Sequence, residues 1–265
     1  MKTVRRAACI LLAAASLLAS PAYSTSFSTD QSDLYYIQAE SGWGIQLVQR
    51  GSVIFATMFV YGPGNTPTWY VATMQYVGNL TWSGDLYATT GPYFGTVPFN
   101  PANVVATKVG TMTWLAQTIV TGMLTYDVNG VGVVKNVVRQ TLVYDDFSGH
   151  YAGAHHEDFT GGCTSGTKEA FDLFYVTQTG ATLSLVAASP TVAGSCTYTG
   201  MLSQAGQMGT IQGSFACTDG SAGTFSFDEV QVNISGLTAR LAFSYSSPPG
   251  CQATGWFGGM RATTF

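Results

Sequence analysis

Charge is scarce in this chain: Asp, Glu, Lys and Arg together make up only 9% of its 265 residues. Cations are the scarcer sign. Of ten Lys and Arg, three (Lys2, Arg5 and Arg6) sit at the very start, which leaves seven against 14 Asp and Glu, a net charge of −7 over the rest. With no basic patch, nucleic acid is excluded as a partner. Long apolar runs are missing too. Beyond the first residues no stretch reaches 18 uninterrupted apolar positions, so no transmembrane helix is expected. Helical periodicity is absent from every run of ten or more residues. The sequence also lacks a Gly-X-Ser-X-Gly elbow and a phosphate loop. Its paired acids, Asp145-Asp146 and Asp228-Glu229, are strand neighbours that point to opposite faces, so neither forms a shared dyad.

What is present reads as an exported β protein. Lys2, Arg5 and Arg6, the apolar run Ala7 to Ala19 and the small residues around Ala22-Tyr23-Ser24 form a signal peptide over 1–24. Gly, Pro and Thr then punctuate the chain every eight to twelve residues, the spacing of short antiparallel strands. Asn129-Gly130 is the strongest hairpin signal, joining Thr121–Val128 to Val131–Thr141, and Ser235-Gly236 is expected to do the same between Thr224–Ile234 and Leu237–Ser246. The two halves echo each other. Ser41-Gly42-Trp43-Gly44 is answered by Ser148-Gly149-His150-Tyr151, and Phe55 to Ala72 by Phe171 to Ala188. The expected fold is all-β: two related antiparallel up-and-down units, small barrels or sandwiches, packed together, over residues 25–143 and 144–265.

Four cysteines follow the leader, an even number that favours disulfides in an oxidising compartment and allows three connectivities. A hairpin folded between Gly206 and Gln207 sets Cys196 opposite Cys217. It also pairs Tyr198 with Phe215 and Leu202 with Ile211, leaving one face apolar and the other polar. Counting out from the turn puts the two cysteines on a non-hydrogen-bonded pair, where strands approach most closely. Cys163–Cys251 follows by elimination, and both bonds lie in the second unit.

The series Ser-Gly-Trp-Gly at 41–44, Ile-Phe-Ala-Thr-Met-Phe-Val-Tyr at 54–61, Pro-Thr-Trp-Tyr at 67–70 and Gly-Asp-Leu-Tyr-Ala-Thr-Thr-Gly-Pro-Tyr-Phe-Gly at 84–95 resembles an uncharacterised bacterial exported β module, found alone or appended to secreted hydrolases. The resemblance covers roughly residues 40–141; it implies export and an accessory role and supplies no catalytic residues. A second similarity is to calycins, the lipocalin and avidin type of barrel, in which an aromatic on the first strand packs against a late basic residue. It implies Arg139 over Trp43 and Arg261 over Tyr151, although Trp43 follows Gly42 directly and departs from the calycin Gly-X-Trp spacing.

Candidate site residues fall into two groups. Trp43, Trp69, Tyr70, Trp82 and Trp256 are aromatics on a rigid frame that can stack on a ligand or fill the core, with Trp69 and Tyr70 favoured because Pro67 fixes their approach. The strands Val53–Tyr61 and Trp69–Val77, apolar on both faces, are expected to be covered on both sides, by the other block or by a loop; the alternative is an exposed aromatic surface for a partner or ligand. All three histidines lie at 150, 155 and 156; His150, His156 and Asp158 share a strand face and form a candidate zinc site, the one cofactor the sequence hints at. The function that emerges is a noncatalytic binding or accessory protein, secreted or periplasmic, for a small molecule, glycan or protein partner. Two alternatives stand beside it: a metal-dependent hydrolase on the His150/His156 cluster, and an outer-membrane barrel ending at Phe265. Counting back from Phe265 by twos gives Thr263, Arg261 and Gly259, which spoils a lipid-facing alternation.

Overall fold

A computed structural model describes residues 29–262, Val192 excepted. The expected leader and Phe265 lie outside these residues. The first unit holds β1 (Asp33–Tyr36), β2 (Gly44–Arg50), β3 (Val53–Tyr61), β4 (Pro67–Gly78), β5 (Thr81–Thr90), β6 (Val105–Ala116), β7 (Thr121–Val128) and β8 (Val131–Arg139). The second holds β9 (Gly149–Gly161), β10 (Gly166–Thr179), β11 (Thr182–Ala188), β12 (Ser195–Ala205), β13 (Met208–Cys217), β14 (Ala222–Val232), β15 (Gly236–Tyr245) and β16 (Cys251–Ala262). Each set runs up and down and closes, β1 on β8 and β9 on β16, so the units are two eight-stranded antiparallel barrels.

Alternation decides which way each strand faces. In the first barrel Ile45, Leu47, Ile54, Ala56, Met58, Met74, Trp82, Trp114 and Leu124 point inward and are fully buried, so side chains fill the interior. Gly122 is required there, because a Cβ would stand 2.2 Å from the Trp114 ring. Asn129-Gly130 makes the expected tight hairpin, with φ of 51° and 85°. The Ser235-Gly236 turn is corrected: Asn233, Ile234 and Ser235 form the loop, the Asn233 Oδ1 accepts from the amides of Ser235 and Gly236, and Gly236 already belongs to β15.

The β12–β13 register is the one the cysteine symmetry predicts, from Cys196 opposite Cys217 to Ala205 opposite Met208. Both disulfides form, Cys196–Cys217 and Cys163–Cys251. They sit at one end of the second barrel.

The internal repeat is real but differently placed. Asp30, Ser32 and Tyr35 correspond to Asp146, Ser148 and Tyr151, and together they build the same clasp beneath each barrel. The Tyr35 hydroxyl donates to the Gln31 carbonyl (3.1 Å) and Tyr151 to Phe147 (2.9 Å). The Ser32 amide donates to Asp30 (2.8 Å) and that of Ser148 to Asp146 (2.9 Å). The Gln49 amide donates to the Ser32 hydroxyl and the Gln178 amide to that of Ser148. Arginine locks each clasp: Arg139 donates to the Ser32 carbonyl and lies 5.3 Å from the Tyr35 ring, and Arg261 donates to Ser148 and lies 5.0 Å from Tyr151. Arg261 therefore covers Tyr151 as expected, whereas Arg139 covers Tyr35 and not Trp43. Ser41 to Gly44 is no counterpart of Ser148 to Tyr151. Nor does Phe55 to Ala72 answer Phe171 to Ala188 in barrel order, since it spans the third and fourth strands of one barrel and its echo the second and third of the other.

The barrels meet through their clasp ends. The β12–β13 turn reaches under the first barrel, where the Gln207 amide donates to Asp33 Oδ2 (3.0 Å) and its side chain to the Ser32 carbonyl (2.6 Å). Gly206 has φ of 60°, and a Cβ there would stand 2.1 Å from Asp33 Oδ2, so only glycine fits this contact. Thr29 donates to Glu229 across the same junction. The far end of each barrel lies away from this junction: loops 37–43, 62–66 and 91–104 on the first, the disulfide-bonded end on the second.

Candidate functional site

The far end of the first barrel carries the exposed aromatics. Phe59 and Trp69 are cross-strand partners on the outer face of β3 and β4, and Trp69 is 60% exposed. Its indole donates to the Thr89 hydroxyl (2.9 Å), which ties it to the base of the 91–104 loop. In that loop Tyr93 and Phe94 pack on each other at 4.5 Å, and Phe94 is 88% exposed. Tyr61, Val97 and Phe99 are exposed as well. Coverage of β3 and β4 on both faces is corrected here in favour of the alternative, an exposed apolar surface, because Phe55, Phe59, Tyr61, Trp69 and Val77 all face solvent.

The other sequence candidates do not join this surface as one patch. Tyr70 alternates with Trp69 and points inward against the core. Trp82 is core, 1% exposed and in edge contact with Tyr76 at 5.1 Å. Trp43 lies on the 37–43 loop side, where its indole donates to Glu40 Oε2 (3.1 Å) and Lys135 stands 5.7 Å from its ring. Lys135 also pairs with Glu40 at 2.7 Å, and that contact together with the Trp43 bond holds the Glu40 carboxyl below its ordinary range.

The candidate zinc site does not assemble. His156 Nε2 and Asp158 Oδ2 are 3.2 Å apart on the outside of β9, but His150 is six residues away along the same strand, roughly 20 Å. His150 packs instead on Tyr175, at 5.0 Å. Among the described residues no three His, Cys, Asp or Glu converge to hold a metal ion.

Sequence reasoning overlooked the residues of opposite parity. His155 and Glu157 point into the second barrel beside Asp172 of β10, and all three are buried among Phe174, Leu185, Phe227 and Phe243. His155 Nδ1 lies 2.8 Å from Asp172 Oδ2, and its Nε2 faces Glu157 Oε1 at 3.8 Å, beyond hydrogen-bond range. His155 Nε2 and Glu157 Oε2 are both buried without a hydrogen bond, next to a cavity of about 40 Å³, room for a few waters. Burial raises the Tyr198 and Tyr245 phenol pKa values, and the neighbouring Glu157 reinforces the rise. The signal was a charged residue at an apolar-parity position in each of two paired strands. Buried polar atoms left without a partner destabilise the fold. Glu157→Gln, which removes the buried carboxylate, should therefore raise the thermal midpoint by several degrees, about 1 kcal/mol. A lower midpoint would mean that the carboxyl is satisfied in solution.

No family model and no curated protein matches the chain. Among solved structures, the chain is similar to the isotype 1 transferrin binding protein B from serogroup B Neisseria meningitidis, at 10% identity and a TM-score of 0.22. The match covers 83% of this chain and 66% of that one, just under two thirds of its length. A likeness at that level says nothing of function.

Proposed function

We propose that this is a noncatalytic, exported binding protein whose first barrel receives a protein partner on its far, aromatic end. The observation that carries the reading is the placement of Phe59, Tyr61, Trp69, Tyr93, Phe94 and Phe99 in water at the end opposite the second barrel. Soluble proteins seldom expose apolar side chains in such concentration unless a partner covers them. The rigid wall beneath Trp69 and its bond to Thr89 pre-set the ring and lower the entropy cost of association. Export is supported by the two disulfides, which persist in oxidising compartments. A lipid-spanning barrel is disfavoured because both barrels fill their interiors with apolar side chains, where an outer-membrane barrel is polar inside.

The test compares wild type with Trp69→Ala/Phe94→Ala as bait for extracytoplasmic proteins. Both side chains are exposed, so the variant should melt as wild type does. It should lose its captured partner at least 30-fold, the effect of removing an interface hot spot of about 2 kcal/mol. Equal capture by the two proteins would refute this assignment of the surface.

A further inference from the structure

The outer wall of the second barrel carries a different kind of surface. Register aligns outward residues in rows across β14, β15, β16 and β9. One row reads Asp228, Arg240, Trp256, His156, and the next Ser226, Ala242, Thr254, Asp158. The side chains of the second row are short, so the wall dips beside Trp256. Two adjoining clefts of about 250 and 440 Å³ share Ala242 and Thr254 and run on to Ser244 and Gln252. From Trp256 to Gln252 is four residues along a strand, roughly 14 Å, enough for a short oligosaccharide.

Trp256 is 57% exposed yet held in place. The His156 ring stacks on it at 4.3 Å and 16°. His156 is itself positioned between Asp158 (3.2 Å) and Glu169 (3.4 Å), one carboxyl at each ring nitrogen. Asp158, Asp228 and Arg240 line the cleft beside the indole, two acceptor groups and one donor group at the edge of an aromatic face.

We infer that this groove is a carbohydrate-binding site. A pyranose offers an apolar C–H face to stack on an indole and a rim of hydroxyls that both donate and accept. The wall supplies that pairing, a fixed Trp256 with carboxyl and guanidinium groups around it, followed by hydroxyl and amide groups along the groove. Carboxyls outnumber the single arginine here, so the sugar is neutral; an anionic glycan is repelled. The site is separate from the aromatic end of the first barrel and stands whether or not that end binds a protein.

The test is calorimetric titration of the full chain, disulfides intact, with neutral pentasaccharides: β-1,4-glucan, α-1,4-glucan, β-1,4-mannan and β-1,4-linked N-acetylglucosamine. Wild type should bind at least one. Trp256→Ala should weaken that binding tenfold or more, and Ala242→Trp, which fills the groove and removes no contact to the ring, should abolish it. Trp69→Ala should leave it unchanged, and circular dichroism should show every variant folded. Failure of wild type to bind any of the four at about 5 mM would overturn the inference, as would equal binding by a folded Trp256→Ala.

Discussion

Arg139→Ala should destabilise the first barrel by about 3–5 kcal/mol, the cost of removing one partner from a buried charge network. The Arg139 side chain is fully buried. Its Nε donates to the Ile119 carbonyl (2.9 Å), its Nη1 to the Ser32 carbonyl and to Asp33 Oδ2 (3.1 Å each), and its Nη2 to the Asp30 carbonyl. Alanine strands three carbonyls and a carboxyl together, and it removes the lid from Tyr35. Lysine should rescue little, because one ammonium cannot span the fork that the guanidinium fills. Asp33 also receives Gln207 from the second barrel, so the variant should loosen the junction as well. Arg261→Ala is the matched control: its clasp has the same plan but an exposed arginine, and a loss of about 1 kcal/mol is expected. Urea unfolding followed by tryptophan fluorescence reads both. Similar losses in the two variants would contradict the unequal burial on which the contrast rests.

The second large effect concerns the disulfides, which staple only the second barrel. Cys163–Cys251 closes a separation of 88 residues and Cys196–Cys217 one of 21. On chain-entropy grounds the first contributes about 4.6 kcal/mol and the second about 3.3 kcal/mol. Replacing Cys163 and Cys251 together by alanine should therefore lower the second barrel's midpoint by more than 10 °C, and replacing Cys196 and Cys217 should lower it less. Reductant should act the same way and leave the first barrel's transition in place. Calorimetry with and without reductant checks this, and a first-barrel transition that falls equally would show that the two barrels do not hold their own cores.

Local rules made part of this fold legible before any coordinates. The Cys196 to Cys217 hairpin could be read because its symmetry, its polarity and its turn agree, and Asn129-Gly130 because both positions need a positive φ. The clasp could not. Its repeat consists of Asp30, Ser32 and Tyr35 against Asp146, Ser148 and Tyr151, short side chains bonding to backbone, and such residues look like any loop until the backbone they bind is placed. In the sequence Trp43 is the prominent ring for Arg139, whereas in the fold the arginine covers the fully buried Tyr35. The outer faces of β3 and β4 were ambiguous for a different reason: an apolar strand face fits a covered sheet and an exposed binding surface equally well. The buried His155 and Glu157 alternate along β9 with the outward His156 and Asp158, and local sequence does not tell which parity faces the interior. Trp256 showed its value only when register set it beside His156 and Arg240.

The whole arrangement rests on two separately closed barrels that meet at their clasp ends. Amide hydrogen exchange at the closing seams tests it most directly. The Gln140 amide donates to the Leu34 carbonyl (2.7 Å), and β16 pairs with β9 from Cys251 to Ala262. Slow exchange is expected at Gln140 and at the amides of β16 that bond to β9, comparable with the other strands of each barrel. Exchange at either seam as fast as in an unpaired edge strand would mean an open sheet, and the claim would fail.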